Sequence, residues 1–500
     1  MENTTNKKPN WFNVASIFFT NLYDSELPMI FLAIMVFFSW LFSIEAMAMI
    51  TAVIYTTIAF IFIDDTAHLI APLLLIPFMF SNGNADVSQY FWLSYFFIFI
   101  VLALIFHMFY YKKRFKLGKM FWPQVAISIA LLLGGVGNIS GKSYMNGFAT
   151  SMTLGILILV LYYLFYQYRN PKSELDSKKF LAKVLLWAGI IVGLQVITYH
   201  IRSPYSLLET FNQLRYKFME LGWGIDNNAA TMLLITAPMT LYLACRKDTA
   251  YPFIYVLLGA FQYICILLTK SRGGILAGAI TAIISIIMLI KKTPKRKQVL
   301  LSGGLIILAM LIVFAVKFKA FVGFFDSIPK KEIANDSGRF KLYKEAWNCF
   351  LKHPLVGVGM GYVGTNFELY GVEQYFFHST LFQVMASTGL VGIAAYLYHY
   401  IVRFKIIFKN IKKSTFIIFV FISMLGFEGY SMIDTGTFIP VPFMFSMIIM
   451  TMFVEEENEQ LKQNQGKQNR ETAQLKNGEE TVQLKNNKET AQLKNNKETV

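Results

Sequence analysis

Cysteine is nearly absent: Cys245, Cys265 and Cys349 are the only three in 500 residues. Three scattered thiols exclude a disulfide framework, and without a CxxC pair they offer no thiolate metal site. Charge is scarce as well. Asp, Glu, Lys and Arg make up 15% of the chain, against roughly 25% in a soluble globular protein. Acids are the rarer sign, 30 against 46 bases, which leaves a net charge of +16. What fills the space is apolar: 55% of residues are hydrophobic, and Phe alone occurs 47 times. Mean hydropathy is +0.48. A soluble fold cannot hide that much apolar surface, so the solvent is lipid. In a membrane protein a positive excess reports cytoplasmic loops rather than bound nucleic acid.

A bilayer core of about 30 Å needs roughly 17–25 apolar residues per helix. Apolar runs lie near 27–43, 46–63, 67–81, 91–110, 120–138, 147–167, 181–201, 228–245, 251–268, 273–290, 299–316, 379–402, 415–431 and 437–454. The third is the weakest, because Pro72 and Pro77 interrupt it; a broken or re-entrant segment is the alternative there. The fold class is therefore all-α: a polytopic transmembrane helical bundle of about 12–14 spans. Lys and Arg cluster at 112–119, 169–183, 246–247, 291–297 and 403–413, all on one side of a fourteen-span model. The positive-inside rule makes that side cytoplasmic. Both termini are then cytoplasmic, and residues 202–227, 269–272 and 317–378 face outward.

The first ten residues are polar, and the first apolar run has no small-residue cleavage site, so no cleavable signal is expected. Residues 1–26 read as a cytoplasmic or interfacial N-terminus, and residues 27–454 as the transmembrane domain. Within the former, 11–22 either lie flat as an interfacial helix or begin the first span. Beyond Val454 the composition turns polar, with nine acids and eight bases in residues 455–500. From Glu471 a nine-residue unit repeats: ETAQLKNGE, ETVQLKNNK, ETAQLKNNK. Nine residues make about 2.5 helical turns, so Leu475, Leu484 and Leu493 alternate faces and build no continuous stripe. Residues 455–500 are expected to be a disordered cytoplasmic tail, dispensable for activity.

The long outward loop, 317–378, carries the densest pattern. After Asp336 and Ser337, either a suitable N-cap, Phe340, Tyr343, Trp347, Phe350 and Leu351 recur at helical spacing. His353-Pro354 ends that helix, and Gly357, Gly359, Gly361 and Gly364 follow. Arg339 sits in the first turn, where a cation opposes the helix dipole by about 0.3–1 kcal/mol. The same place becomes favourable once an anion binds. Arg272, in the turn TKSRGG (269–274), has a similar setting at the start of the next span; snorkelling is its plainer explanation. His378 opens the span after the loop, and its unperturbed titration range suits proton transfer near neutral pH.

Taken in order, SRGG at a span start, the SGR-x7-W helix, HPLVGVG, and His378-Ser379-x9-Gly389-x-x-Gly392 resemble the O-antigen ligase and Wzy-type polymerase superfamily. GWGIDNNAATMLLITAPMTLYL (222–243) is similar to the family's Asn-Pro-Asn segment, with Asn227-Asn228 where Pro-Asn is usual. The likeness covers residues 220–405. It implies a metal-independent enzyme without cofactor in the bacterial cytoplasmic membrane, its site outside the cytoplasm. Such an enzyme moves a glycan from a polyprenyl-diphosphate-linked donor to the hydroxyl of a lipid or cell-wall acceptor. It implies Arg272 and Arg339 as the diphosphate's partners and His378 as the general base. A further basic residue from the N-terminal half is usual, for which Lys142, Arg202, Arg215 and Lys217 are all placed outward. Asn228, Glu428 and Asp434 are lesser substrate-binding candidates, the two acids because intramembrane charge is costly and usually functional.

Three functions compete. A ligase attaches a finished chain and is preferred on the intact His-Ser-x9-Gly-x-x-Gly motif; a polymerase joins repeat units. A transporter or flippase of lipid-linked oligosaccharide is the reading from another class, and the internal repeats expected of it are absent. Membrane lipids surround the chain in any of these, and no nucleic-acid partner is expected.

Overall fold

The computed structural model describes residues 11–81, 92, 94–112, 115–170, 173–203, 219–316, 318, 339–362, 377–434, 436–438 and 440–466. It opens with α1 (Trp11–Asp24), α2 (Leu27–Phe42) and α3 (Glu45–Phe62). Next come α4 (Ile70–Leu75), α5 (Ser94–Tyr110), α6 (Phe121–Leu133) and α7 (Gly141–Met152). The middle of the chain forms α8 (Ile158–Tyr168), α9 (Ser177–Arg202), α10 (Asp226–Ala244), α11 (Pro252–Thr269), α12 (Arg272–Lys292) and α13 (Arg296–Val316). The last helices are α14 (Arg339–Lys352), α15 (Thr380–Phe408), α16 (Thr415–Ser431) and α17, residues 445–466. The protein is an all-α, polytopic helical bundle.

Each of the fourteen apolar runs holds helix among its described residues. Seven of these helices are long and apolar enough to cross a bilayer, or eight when α1 and α2, bent by 60°, count as one broken span. Others are shorter than a bilayer alone requires, α6 and α16 among them. The proline-interrupted third run is indeed broken, with 3₁₀ turns on either side of α4 at Thr66–Leu69 and Ile76–Met79. Backbone freed there is satisfied by protein: the amide of Gln195 donates to the Phe78 carbonyl at 2.7 Å, as irregular backbone at membrane depth requires.

At the centre lies α10, buried without interruption from Ala229 to Ala244 and packed by α9, α11, α12 and α16. Its threonines make it too polar for lipid, and neighbours satisfy them: Gln262 donates to Thr240 at 3.0 Å, and Thr231 to the Asn227 carbonyl at 2.8 Å. At the periphery, α13 leaves Leu301, Leu305, Leu308 and Leu311 exposed. That is the surface of a helix whose solvent is hydrocarbon.

The basic clusters meet at one end of the bundle. Lys119 pairs with Glu455 at 3.3 Å, Arg169 with Glu456 at 2.9 Å, and Lys178 with Glu457 at 2.5 Å. Arg169 also pairs with Asp65. Asn458 donates to the Ile406 carbonyl at 2.7 Å. This corrects one expectation. Residues 455–466 are helical rather than disordered, and Glu455, Glu457 and Asn458 are buried. A polar run reads as solvated only while its partners, up to about 340 positions away, stay unknown; Lys119 and Glu455 are 336 apart. The nine-residue repeats, 471–500, lie outside the described residues.

Candidate active site at the opposite end

Arg272 opens α12, whose other end, Lys291-Lys292, is about 30 Å away at 1.5 Å per residue. Ser271 caps this helix, accepting the Gly274 amide at 3.3 Å. Gly273 and Gly274 allow the close packing expected of them. A Cβ on Gly273 would lie 2.8 Å from the Tyr430 ring, and one on Gly274 2.7 Å from Ala230. Arg272 itself is exposed. Beside it, Lys270 takes the left-handed conformation that ends α11, and burial pushes its ammonium down to about 8. That is unusual for a lysine at the mouth of a site, and the residue types alone did not single it out.

His378 precedes α15 and also has a left-handed backbone, with φ 49°. Such a conformation is uncommon for any residue but glycine and clusters at functional sites. Its Nδ1 is buried and lies 3.5 Å from Oδ1 of Asp434. The side chain as a whole is 43% exposed, so the buried Nδ1 belongs to a ring that reaches the surface elsewhere. From the other side, Tyr343 of α14 donates to the His378 carbonyl at 3.3 Å. The Tyr343 ring stacks on Phe382 at 4.4 Å. Burial raises the Tyr343 phenol above its ordinary range, while Arg339 pulls it down and Asp434 pushes it up. Arg339, one turn earlier on α14, is therefore within electrostatic reach of the same group.

The expected amphipathic helix is present, with a different face inward. Ala346 and Cys349 are buried, whereas Phe340, Trp347 and Leu351 are exposed. An apolar stripe at a membrane surface is satisfied by lipid as well as by protein, so periodicity does not say which it meets. Asp336 and Ser337, its suggested caps, lie outside the described residues.

The glycines after the helix plug a break in α15. Gly389 has φ 61° and ψ −153°, a conformation closed to side chains, and interrupts the helix. The amides of Val358 and Gly359 donate to the freed carbonyls of Ala386 and Ser387, both at 2.8 Å. In return Leu390 and Val391 donate to Pro354 at 2.7 Å and Leu355 at 3.1 Å. HPLVGVG and the Gly389 motif are thus two halves of one structure.

Other candidates fall elsewhere. Glu428 pairs with the buried Arg403 and accepts from Tyr400 at 2.8 Å, inside the bundle and without contact to His378. Asn228 accepts the Ile225 amide at 2.9 Å, a helix-capping role. Lys142 is exposed in the first turn of α7. Arg202 donates to the Leu41 carbonyl at 2.9 Å. Arg215 and Lys217 lie outside the described residues. Three further ionisable residues, Asp64, Asp65 and His68, sit at the basic end away from His378, with Asn170, Arg169 and Asp24 respectively.

A family model described as O-antigen ligase matches residues 254–397. The chain carries an O-antigen ligase domain. The match supports kinship with the O-antigen ligase/Wzy superfamily, and the matched segment contains Arg272, Arg339, His378 and the Gly389 break. Asp434, which faces His378, and Tyr430, which donates to Asp434, lie outside the matched segment. No curated protein matches the chain.

Proposed function

We propose that this protein transfers a glycan from a polyprenyl-diphosphate carrier to an acceptor hydroxyl on the extracytoplasmic side of the membrane. The observation that carries the reading is the His378–Asp434 pair, in which the ring is buried at one nitrogen and reaches the surface elsewhere. His378 takes the proton of the acceptor hydroxyl as the bond between the sugar C1 and the phosphate oxygen breaks. Asp434 steadies the imidazolium that forms. Arg272 and Arg339, each at a helix start, hold the diphosphate and stabilise the charge that develops on it as it leaves. In-line attack inverts the anomeric centre. Lys270, half-buried beside Arg272, adds positive charge to the same mouth.

Two findings favour the outer side. The basic connections converge at one end of the bundle, and His378 and Arg272 stand at the other; by the positive-inside rule the latter is extracytoplasmic. The decisive experiment is deletion of the protein followed by analysis of the lipid-linked glycan. Full-length chains stranded on the carrier establish a ligase, and single repeat units establish a polymerase. An unchanged glycan profile overturns both.

A further inference from the structure

Three hydroxyl and carboxylate groups run from the arginine turn of α12 to within 3.5 Å of the His378 ring. Ser271 Oγ and the Tyr430 hydroxyl are 2.6 Å apart. The Tyr430 hydroxyl donates to Oδ2 of Asp434 at 3.2 Å, and the carboxylate's other oxygen faces His378. An ionised carboxylate only accepts, and a phenol has one proton. Tyr430 spends that proton on Asp434, so Ser271 must be the donor to Tyr430. Ser271 in turn accepts from the Gly274 amide. These three hydrogen bonds therefore point the same way, from the N-terminus of α12 to Asp434, which His378 meets from the other side. Such aligned chains polarise and strengthen one another in a low-dielectric interior.

The line is closed to substrate. Tyr430 is 2% exposed, Ser271 5% and Asp434 7%. Tyr430 can lie against the first turn of α12 because Gly273 has no side chain there. We propose, building on the transfer reaction above, that Tyr430 and Ser271 are positioning residues. They hold the anion-binding turn of Arg272 and the base His378 in one fixed register. The donor's phosphate and the acceptor's hydroxyl must arrive in line, and a misplacement of about 1 Å costs on the order of 10²-fold in rate. This tether between the two binding elements sets that alignment.

The test uses the full chain in lipid nanodiscs, with a synthetic polyprenyl-diphosphate glycan as donor. Tyr430→Phe keeps the ring packed on Gly273 and removes only the hydroxyl. Ser271→Ala breaks the same line one step earlier. Each is expected to lower kcat by about 10–100-fold, with donor KM within about twofold of wild type. The double variant should be no slower than the slower single one, because both sever one line. A wild-type kcat in Tyr430→Phe overturns the proposal, as does a double variant whose losses multiply. Should Tyr430→Phe fail to insert, Ser271→Ala decides alone by its kcat-against-KM split. His378→Ala separates the two levels of inference. If it is inactive while Tyr430→Phe is fully active, only the positioning role fails; if it is active, the transfer reading itself fails.

Discussion

His378 presents Nδ1 to Asp434 at 3.5 Å, across 56 positions of sequence and two helices. That distance is long for a hydrogen bond, as catalytic contacts often are before substrate binds. Asp434 is buried and also accepts from Tyr430 at 3.2 Å, so in the proposed reaction it acts through His378. Asp434→Asn should therefore lower transfer by at least about tenfold while leaving membrane insertion intact. His378→Ala should lose about 10²–10⁴-fold, the usual contribution of a general base. Initial rates of glycan transfer on normally expressed protein check both.

In the proposed reaction Lys270 should give an alkaline limb. Burial brings its ammonium down to about 8 from an ordinary 10.5, so it is cationic below that pH and neutral above. Attraction for a diphosphate should weaken as pH rises through about 8. Donor KM measured between pH 6.5 and 9.5, values chosen to bracket about 8, should climb over the upper half. In Lys270→Gln that climb should be absent, and KM high throughout.

Gly389 and Gly429 make a contrasting pair on neighbouring helices. A Cβ on Gly389 would lie 2.5 Å from the Leu355 carbonyl oxygen, in a conformation closed to alanine, whereas one on Gly429 meets nothing within 4 Å. Gly389→Ala should cost at least about 1–3 kcal/mol and abolish transfer by displacing His378. Gly429→Ala should be neutral or stabilising by up to about 1 kcal/mol. Thermal denaturation in detergent separates them.

At the basic end, Arg169 balances both Asp65 and Glu456. Arg169→Gln leaves the buried Asp65 and the half-buried Glu456 without their cation, a loss of about 3–5 kcal/mol. Glu456→Gln costs less, because Asp65 still compensates the arginine. Truncation after residue 466 should leave stability and transfer unchanged, whereas truncation after Val454 should reduce both. The melting temperatures of the four proteins rank these effects.

The helices were legible because hydrophobicity is a local signal: every apolar run longer than about 15 residues holds helix. Arg272, Arg339 and His378 stand out as candidates for another reason, since their spacing resembles a family pattern. What stayed hidden depends on distance in sequence. Ser271 and Tyr430 are 159 positions apart, and neither type announces itself as functional. Asp434 and Glu428 looked alike as costly intramembrane acids, yet one faces His378 and the other Arg403. Only the packing of α16 tells them apart. The EEEN run at 455–458 misled for the complementary reason, since its polarity is matched by loops far upstream.

The break in α15 has a mechanical consequence. Segment 354–359 is stitched into it on both sides, and withdrawing that segment would strand the carbonyls and amides that meet there. Each stranded group costs about 1–3 kcal/mol, so the strip behaves as a rivet. It cannot swing out to admit a lipid-borne substrate. Whatever opens for the donor must hinge around that fixed point, and His378, eleven residues from the break, stays put while it does.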